Sequence, residues 1–244
     1  MKLMIVENDT LHSSFLRSII GQILEDYDEF EEVADGGQAI EAARRSAPHA
    51  VIMDLQMPRV TGIEAAKEIW RQNPATKILF WSNYADEAYV RGVAKIVPRE
   101  AVYGYVLKSA SEERLRLAIR GVFIEDQCVI DREVRGLQQR VVSRSEGLTE
   151  IEYEALVDVA LGLTDRTMAA RRGISIRGAQ SRIKHLSGKL GLDAERLCES
   201  ESSQWFNPRT RLVLTALERG LLNADALRRE ETALRSWLSE YRAA

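Results

Sequence analysis

Short apolar runs that alternate with longer segments of helical spacing constrain the fold of the first half of this chain most strongly. The apolar runs lie at 3–6, 50–53, 77–82 and 103–108. Helical spacing marks 10–24, 36–46, 61–72 and 111–123. Because the runs lack polar alternation, they predict strands of a parallel sheet that is covered on both faces. The alternation predicts a doubly wound α/β domain with a five-stranded parallel sheet, in which the four apolar runs are the first, third, fourth and fifth strands.

The second half of the chain has helical periodicity throughout, from Leu148 onward. Two short helical segments, 164–173 and 176–190, are joined at Gly173, and glycine commonly ends a helix. This arrangement predicts a helix-turn-helix inside an all-α domain. We expect a first domain at 1–125, a linker at 126–146 with a short helix near 131–142, a helix-turn-helix domain at 147–222 and a helical extension at 223–244.

Basic residues are concentrated in one segment, although the whole chain is slightly acidic. The chain has 34 Lys and Arg against 37 Asp and Glu, a formal net charge of −3. Residues 166–191 contain seven Lys or Arg and no Asp or Glu. A basic segment in an acidic protein predicts a local contact surface for nucleic acid. The simpler interpretation is a solvated helix face, and one helix can serve both purposes.

Cysteine content and hydropathy indicate where the protein works. Cys128 and Cys198 stand alone, without CxxC spacing, so neither a disulfide framework nor a zinc site is predicted. The N-terminus reaches Glu7 too soon for a signal peptide. No apolar run approaches the ~20 residues of a membrane-spanning helix. These features predict a cytoplasmic protein that makes no membrane contact.

Charged and polar side chains stand where the predicted strands end. Glu7 ends the first strand, Asp54 the third, Ser82 the fourth and Lys108 the fifth. Ligands of open parallel sheets bind beyond these strand ends. Neighbouring carboxylates repel unless a cation lies between them, and Mg²⁺ prefers oxygen ligands. With Mg²⁺, a hydroxyl and a lysine nearby, Asp54 is equipped to accept a phosphoryl group as the nucleophile. Taken alone, each residue is explained as well by strand capping or surface pairing.

The segments "MIVEND", "VIMDLQMP", "WSNYAD" and "GYVLKSA" resemble, in order and in near-register, the signature of response-regulator receiver domains, which have a flavodoxin-like fold. The resemblance covers about residues 1–125. It implies that Asp54 is the phosphoacceptor and that a histidine kinase supplies the phosphoryl group. Ser82 and Tyr105 would be the switch residues and Lys108 the phosphate-pairing lysine. The implied Mg²⁺ ligands are Glu7, Asn8, Asp54 and the backbone carbonyl of Gln56.

Three positions depart from the receiver pattern. Asn8 stands where the family has a second acid, so we expect weaker Mg²⁺ binding. Asn83 is larger than the small residue that usually follows the switch hydroxyl. Ser82 and Lys108 are 26 positions apart, about four more than is usual for this subfamily. A phosphorylation-independent regulator with an inert, constitutively dimeric receiver is therefore the alternative.

A phosphohydrolase that uses Asp54 as its nucleophile is a further alternative. Such an enzyme needs a general acid two residues after the nucleophile, where this chain has Gln56. We therefore expect a protein that is not an enzyme.

The second half resembles the LuxR-type helix-turn-helix of NarL-like regulators. The carrying motifs are "LTE" (148–150), "ALGLT" (160–164) and "KLG" (189–191), at the family's spacing. A helix fits the DNA major groove, and side chains on one of its faces reach base edges. The resemblance implies base contacts by Gln180, Ser181 and Lys184. Phosphate contacts are expected from Arg177, Arg182, His185 and Lys189. Gly178 and Ala179 replace the usual Thr-Val.

The C-terminal part departs from the family in length. The family's last helix, its usual dimer contact in this domain, resembles 206–222, but an insertion at 193–205 precedes it. We expect a homodimer on double-stranded DNA. In the extension, Leu227, Leu234, Trp237 and Tyr241 recur at heptad-like spacing, which leaves packing onto the helix-turn-helix domain and self-association both open. The sequence thus predicts a DNA-binding transcription regulator controlled by phosphorylation.

Overall fold

The structure is a computed structural model that describes residues 1–24, 29–142, 147–192 and 207–243. The chain divides into two compact units. One comprises Met1–Ala85 and Tyr89–Leu137, and the other comprises Asp86–Ala88 and Gln138–Ala244. The predicted insertion at 193–205 lies outside the described residues.

The first unit is built on a parallel sheet. Its strands are β1 (Lys2–Val6), β2 (Glu29–Val33), β3 (Ala50–Met53), β4 (Lys77–Ser82), β5 (Tyr103–Leu107) and β6 (Val129–Ile130). The strand order is β2-β1-β3-β4-β5-β6, and every neighbouring pair is parallel. The order reverses between β1 and β3, which is where open sheets of this class bind ligands. The predicted doubly wound architecture is confirmed.

The predicted strand count was wrong, because the sheet has six strands rather than five. The additional strand, β6, has two residues. It lies in the polar stretch 126–146 that was interpreted as a linker, and two residues are too few to form a recognisable apolar run. Helix α6 (Arg132–Val142) follows it within the same stretch, close to the predicted short helix.

Helices cover the sheet, and most begin at a capping side chain. They are α1 (Thr10–Ile23), α2 (Gly36–Ser46), α3 (Gly62–Gln72), α4 (Glu87–Ile96) and α5 (Glu112–Phe123). Asp9, Asp35, Thr61 and Ser111 accept backbone N–H groups at the starts of α1, α2, α3 and α5. These caps satisfy N–H groups that have no partner within the helix. One hydrophobic cluster joins α1 and α5 to the sheet through Ile5, Ile19, Val106 and Ile119.

The second unit is helical. Its elements are α7 (Glu150–Ala160), α8 (Asp165–Arg172), α9 (Ile176–Lys189), α10 (Pro208–Glu218) and α11 (Ala224–Ala243). Helix α8 ends at Gly173, whose φ of 61° is left-handed and favours glycine. Helix α9 begins two residues later at the cap Ser175. This α8–turn–α9 arrangement is the predicted helix-turn-helix, and Leu156, Met168 and Leu186 pack in its core.

The C-terminal helix α11 packs onto the second unit. Leu234 is buried, and Leu227 packs against the core cluster. Near the C-terminus Tyr241 is 59 % exposed and stacks on Trp237 with a ring-centroid distance of 4.9 Å. Of the two interpretations of the extension, packing onto the helix-turn-helix domain is therefore the one this geometry supports. Within the described ranges, no helix combines the length and apolar character needed to cross a bilayer.

Candidate functional site

The sheet ladder places the strand-end residues of the first unit. The backbone N–H of Glu7 donates to Val33 O at 3.0 Å, and that of Asp54 donates to Val6 O at 2.9 Å. At the other side the N–H of Lys108 donates to Ser82 O at 2.8 Å. Each residue therefore continues the pairing one step beyond its strand. As a result, backbone hydrogen bonds alone hold the main chain in place at all three positions.

Lys108 joins the two predicted carboxylates. Its Nζ donates to Asp54 Oδ2 at 2.9 Å and to Glu7 Oε2 at 2.7 Å. All three side chains are at least nine-tenths buried. Hydrogen bonds between ionised groups in such surroundings are strong, and an unpaired buried charge is costly. The predicted convergence of Glu7, Asp54 and Lys108 is therefore present, and a lysine ammonium lies between the two carboxylates.

Two residues that were not predicted for this site also contact Lys108. His12 Nδ1 lies 3.2 Å from Lys108 Nζ and 3.7 Å from Glu7 Oε1. The ammonium stands over the Trp81 ring at 5.1 Å from its centroid, within cation–π range. Their positions in the sequence could have indicated these contacts, because Trp81 precedes Ser82 and His12 lies in the first turn of the helix that follows Glu7.

The remaining predicted metal ligands lie at the rim. Asn8 and Gln56 are exposed, and the N–H of Gln56 donates to Asp54 Oδ1 at 3.2 Å. Asp9 is occupied as the cap of α1, and the backbone N–H groups of His12 and Leu11 hold the pKa of Asp9 below its ordinary value. Among the residues the structure describes, no group of three or more His, Cys, Asp and Glu is arranged to hold a metal.

The two predicted switch residues meet through the loop after β4. Ser82 is fully buried, and its Oγ accepts the N–H of Tyr84 at 3.3 Å. Tyr105 is 1 % exposed, and its hydroxyl donates to the carbonyl of the same Tyr84 at 2.7 Å. Tyr84 therefore joins the end of β4 to the middle of β5. Asn83, the large residue next to Ser82, is exposed.

A close backbone approach fixes the loop that carries Asp54. A Cβ at Gly62 would lie 2.0 Å from the carbonyl oxygen of Asp54. The N–H of Gly62 donates to Leu55 O at 3.0 Å. Only glycine fits this position, which holds the start of α3 against the end of β3.

The predicted nucleic-acid contacts lie along α9. Exposed residues on this helix include Arg177, Gln180, Ser181, Lys184 and His185, and Arg182 is half-buried. The amide Nε2 of Gln180 donates to Asp165 Oδ2 at 3.1 Å, so the start of α8 orients this side chain. One face of α9 belongs to the core of the second unit, because Ala179, Leu186 and Leu190 are buried.

Three basic residues of the segment 166–191 serve the fold of the second unit. Arg171 and Arg172 both pair with Asp158, a fully buried residue of α7, at 2.6 and 2.7 Å. Lys189 donates to Gly147 O and to Glu152 Oε2, each at 2.8 Å. A phosphate contact by Lys189 would have to compete with both bonds. The basic face available to DNA is therefore smaller than the residue count indicated.

Comparison with known proteins agrees with both parts of this description. The family model of the response regulator receiver domain matches residues 3–120. The oxygen regulatory protein NreC of Staphylococcus haemolyticus is 30 % identical over 190 residues, which cover 73 % of this chain and 86 % of NreC. This chain belongs to the NarL/LuxR-type response regulators. It is accordingly a two-component transcription regulator with a receiver domain and a helix-turn-helix domain.

Other response regulators extend the match over nearly the whole chain. The transcriptional regulatory protein YdfI of Bacillus subtilis is 27 % identical over 230 residues, covering 92 % of this response regulator and 99 % of YdfI. A solved complex of the response regulator RcsB with DNA has a TM-score of 0.57 and 21 % identity, covering 88 % of this chain and 96 % of that one. A structure of two RcsB dimers bound to two parallel DNAs has a TM-score of 0.56 and 23 % identity, over 79 % and 93 % of the two chains. At these identities the two structures support the fold alone.

Proposed function

We propose that this response regulator accepts a phosphoryl group on Asp54 from a cognate histidine kinase and thereby controls how α9 binds double-stranded DNA. One observation carries the proposal. Asp54 and Glu7 share a single lysine ammonium at the carboxyl ends of parallel strands, with distances of 2.9 and 2.7 Å. The pocket therefore holds a nucleophile together with a cation that can pair with the incoming phosphate.

The chemistry follows from the groups present. A carboxylate oxygen of Asp54 attacks phosphorus, and the bond from phosphorus to the donor's leaving group breaks. Lys108 offsets negative charge on the equatorial oxygens, and Ser82 supplies a hydroxyl from the neighbouring strand. Tyr105 and Ser82 then act as the switch pair, since Tyr84 joins them in one hydrogen-bonded loop. Charge gained at Asp54 is thus converted into a rearrangement of the end of β4 and of β5.

Mg²⁺ is the proposed cofactor. Glu7, Asn8, Asp54 and the backbone carbonyl of Gln56 would hold it, and oxygen donors of this kind suit this ion. When bound, Mg²⁺ would supply positive charge to the phosphoryl oxygens. We expect weak binding for two reasons: Asn8 contributes no charge, and Lys108 already donates to both carboxylates.

We propose the second unit as the DNA-binding domain, with the helix-turn-helix domain at 147–222 and the extension at 223–244. The receiver is proposed at 1–125, and the linker 126–146 adds strand β6 to its sheet. Gln180, Ser181 and Lys184 would contact base edges, and Arg177, Arg182 and His185 phosphates. Lys189 was also predicted for a phosphate, but it donates to Gly147 and Glu152, so we propose no phosphate contact for it. The RcsB structures contain DNA, and one of them contains RcsB dimers. By analogy we propose a homodimer on DNA for the present chain. A cytoplasmic location fits a partner kinase and an intracellular DNA target.

A second function has its own supporting observation. Because Lys108 neutralises part of the pocket and an amide stands at position 8, the receiver is also suited to be inert. In this alternative it is constitutively dimeric. The protein would then bind DNA without phosphorylation. A Mg²⁺ titration followed by tryptophan fluorescence separates the two functions, since Trp81 contacts Lys108. A saturating response favours phospho-control, and no response favours the inert receiver.

The functional test compares the wild type with Asp54→Asn on DNA. A binding sequence is first selected from a randomised duplex library. Each protein is then incubated with Mg²⁺ and acetyl phosphate, and its affinity is measured by gel shift. We expect acetyl phosphate to change the affinity of the wild type and to leave that of Asp54→Asn unchanged. Identical responses of both proteins would contradict phospho-control.

A further inference from the structure

The segment after α5 returns to the sheet beside the strand that leads to Lys108. In the β5–β6 pair, Gly104 aligns with Val129 and Tyr105 with Ile130. The ladder continues one residue further, because the N–H of Asp131 donates to Tyr105 O at 2.9 Å. The edge of β5 is therefore covered by the chain's own next segment.

Two glycines of the receiver provide the space for β6. A Cβ at Gly104 would lie 3.0 Å from Val129 O and 2.6 Å from the Leu79 side chain, and a Cβ at Gly121 would lie 2.8 Å from Val129 Cγ2. A larger residue at position 104 would crowd the Leu79 and Val122 side chains and the carbonyl of Val129, and one at position 121 would crowd the Val129 side chain. Glycines of β5 and α5 therefore leave the room in which β6 packs against the receiver sheet.

Asp131 connects this strand to three other elements. Its Oδ2 accepts the N–H of Leu107 at 2.8 Å, and its Oδ1 accepts Arg114 Nε of α5 at 2.9 Å. Its own carbonyl accepts the N–H of Arg135 at 2.8 Å, the first bond of α6. In a regular parallel ladder a main-chain carbonyl would receive the Leu107 N–H. Here a carboxylate replaces it, and the main chain is released to start a helix.

The position of Leu107 makes this contact consequential. Leu107 directly precedes Lys108, whose own N–H is held by Ser82 O. We propose that Asp131 is a positioning residue for Lys108 and couples the phosphoacceptor pocket to helix α6. The inference rests on the proposed function for its biological meaning, since phosphoryl gain at Asp54 would move Lys108. The coupling itself is a property of the fold and exists without phosphate.

The test measures coupling by amide hydrogen exchange of the α6 peptides, residues 132–142, in the full-length protein. Lys108→Ala perturbs the pocket in three backgrounds: wild type, Asp131→Ala and Asp131→Asn. We expect Lys108→Ala to speed α6 exchange roughly tenfold in the wild type, the scale of one charge-assisted hydrogen bond. In Asp131→Ala it should add nothing. In Asp131→Asn the coupling should survive, because an amide oxygen still accepts the Leu107 N–H.

One variant serves as the control, and three results would overturn the proposal. Glu125→Ala removes an exposed ion pair with Arg120 at the end of α5 and should keep the full coupling. The proposal is overturned if Lys108→Ala leaves the α6 exchange rate of the wild type unchanged, or if it changes that rate equally in Asp131→Ala. So does loss of coupling in Asp131→Asn, which would assign the effect to the Arg114 pair. Failure of phosphoryl uptake on Asp54 would contradict the proposed function and leave this coupling standing.

Discussion

Each unit of this protein buries a cluster of charged side chains, and the two clusters differ in charge balance. In the receiver, two carboxylates share the ammonium of Lys108. In the helical unit, the fully buried carboxylate of Asp158 accepts from two guanidiniums, with contacts of 2.6, 2.7 and 3.0 Å. These two guanidiniums also pair with the more exposed Glu154 and Glu230. The buried members of the first cluster therefore carry surplus negative charge, whereas the buried carboxylate of the second is surrounded by cations.

The difference separates chemistry from architecture. A buried ion pair of this kind mainly fixes geometry, because the loss of either partner leaves the other buried without a counter-charge. A cluster with surplus carboxylate retains oxygen lone pairs for an incoming cation or phosphoryl group. On this ground we propose the receiver pocket as the reactive site, whereas the Asp158 cluster joins α7 to α8.

The largest expected effect is on the Asp158 cluster. Asp158→Ala leaves Arg171 and Arg172 without their buried partner, so we expect the helical unit to lose about 3–5 kcal/mol of stability. Amide hydrogen exchange of α7 and α8 measures this loss. Glu230→Ala is the control, because it removes only a 3.4 Å contact to Arg171. A loss below about 1 kcal/mol for Asp158→Ala would mean that this cluster is not structural.

The receiver cluster should respond asymmetrically to the removal of its members. Lys108→Met leaves two buried carboxylates without an ammonium, and we expect a loss of about 1–3 kcal/mol in receiver stability. Glu7→Gln removes the surplus charge and should change stability by less than about 1 kcal/mol. Denaturant unfolding of the full-length protein compares the two variants. Equal losses for both would show that the pocket is as balanced as the Asp158 cluster.

Some strands and site residues of this molecule were predictable from the sequence, and others were not. The buried strands β3 and β4 are continuous apolar runs, so their ends and Asp54 were predictable. The edge strand β2 reads EFEEV and β6 has two residues, so neither stands out as an apolar run. Glu7, Asp54 and Lys108 were predictable because parallel strands end at one edge. His12 and Asp131 were not, because their roles depend on helix orientation and on a pairing with β5.

Two cations of helix α9 differ in how far their side chains are engaged by the protein. Arg177 is exposed, while Lys189 is held by Glu152 and Gly147. We expect Arg177→Ala to reduce the slope of log K against log salt concentration for DNA binding by about 1. Lys189→Ala should leave that slope nearly unchanged. Titrations at several salt concentrations measure both, and equal slope changes would show that Lys189 contacts phosphate after all.

The smallest effect concerns the cap of α7. Burial alone would raise the pKa of Glu152, but hydrogen bonds from Lys189 and Thr149 outweigh it and hold the pKa below its ordinary 4.5. The stabilisation is therefore present above that value and lost as the pH falls through the lower folded pKa. We expect Glu152→Gln to remove about 1 kcal/mol of the acid sensitivity of the helical unit. Glu218→Gln, an exposed change on α10, should retain it. Identical acid unfolding of all three proteins would contradict the assignment.

Phosphoryl transfer to Asp54 is the step on which the proposed function depends, and intact-protein mass spectrometry detects it. The wild type and Asp54→Asn are incubated with acetyl phosphate and Mg²⁺ and weighed before and after the reaction. We expect the wild type to gain the mass of one phosphoryl group and Asp54→Asn to gain none. A wild type of unchanged mass, or an equal gain in Asp54→Asn, would contradict phosphoryl transfer to Asp54.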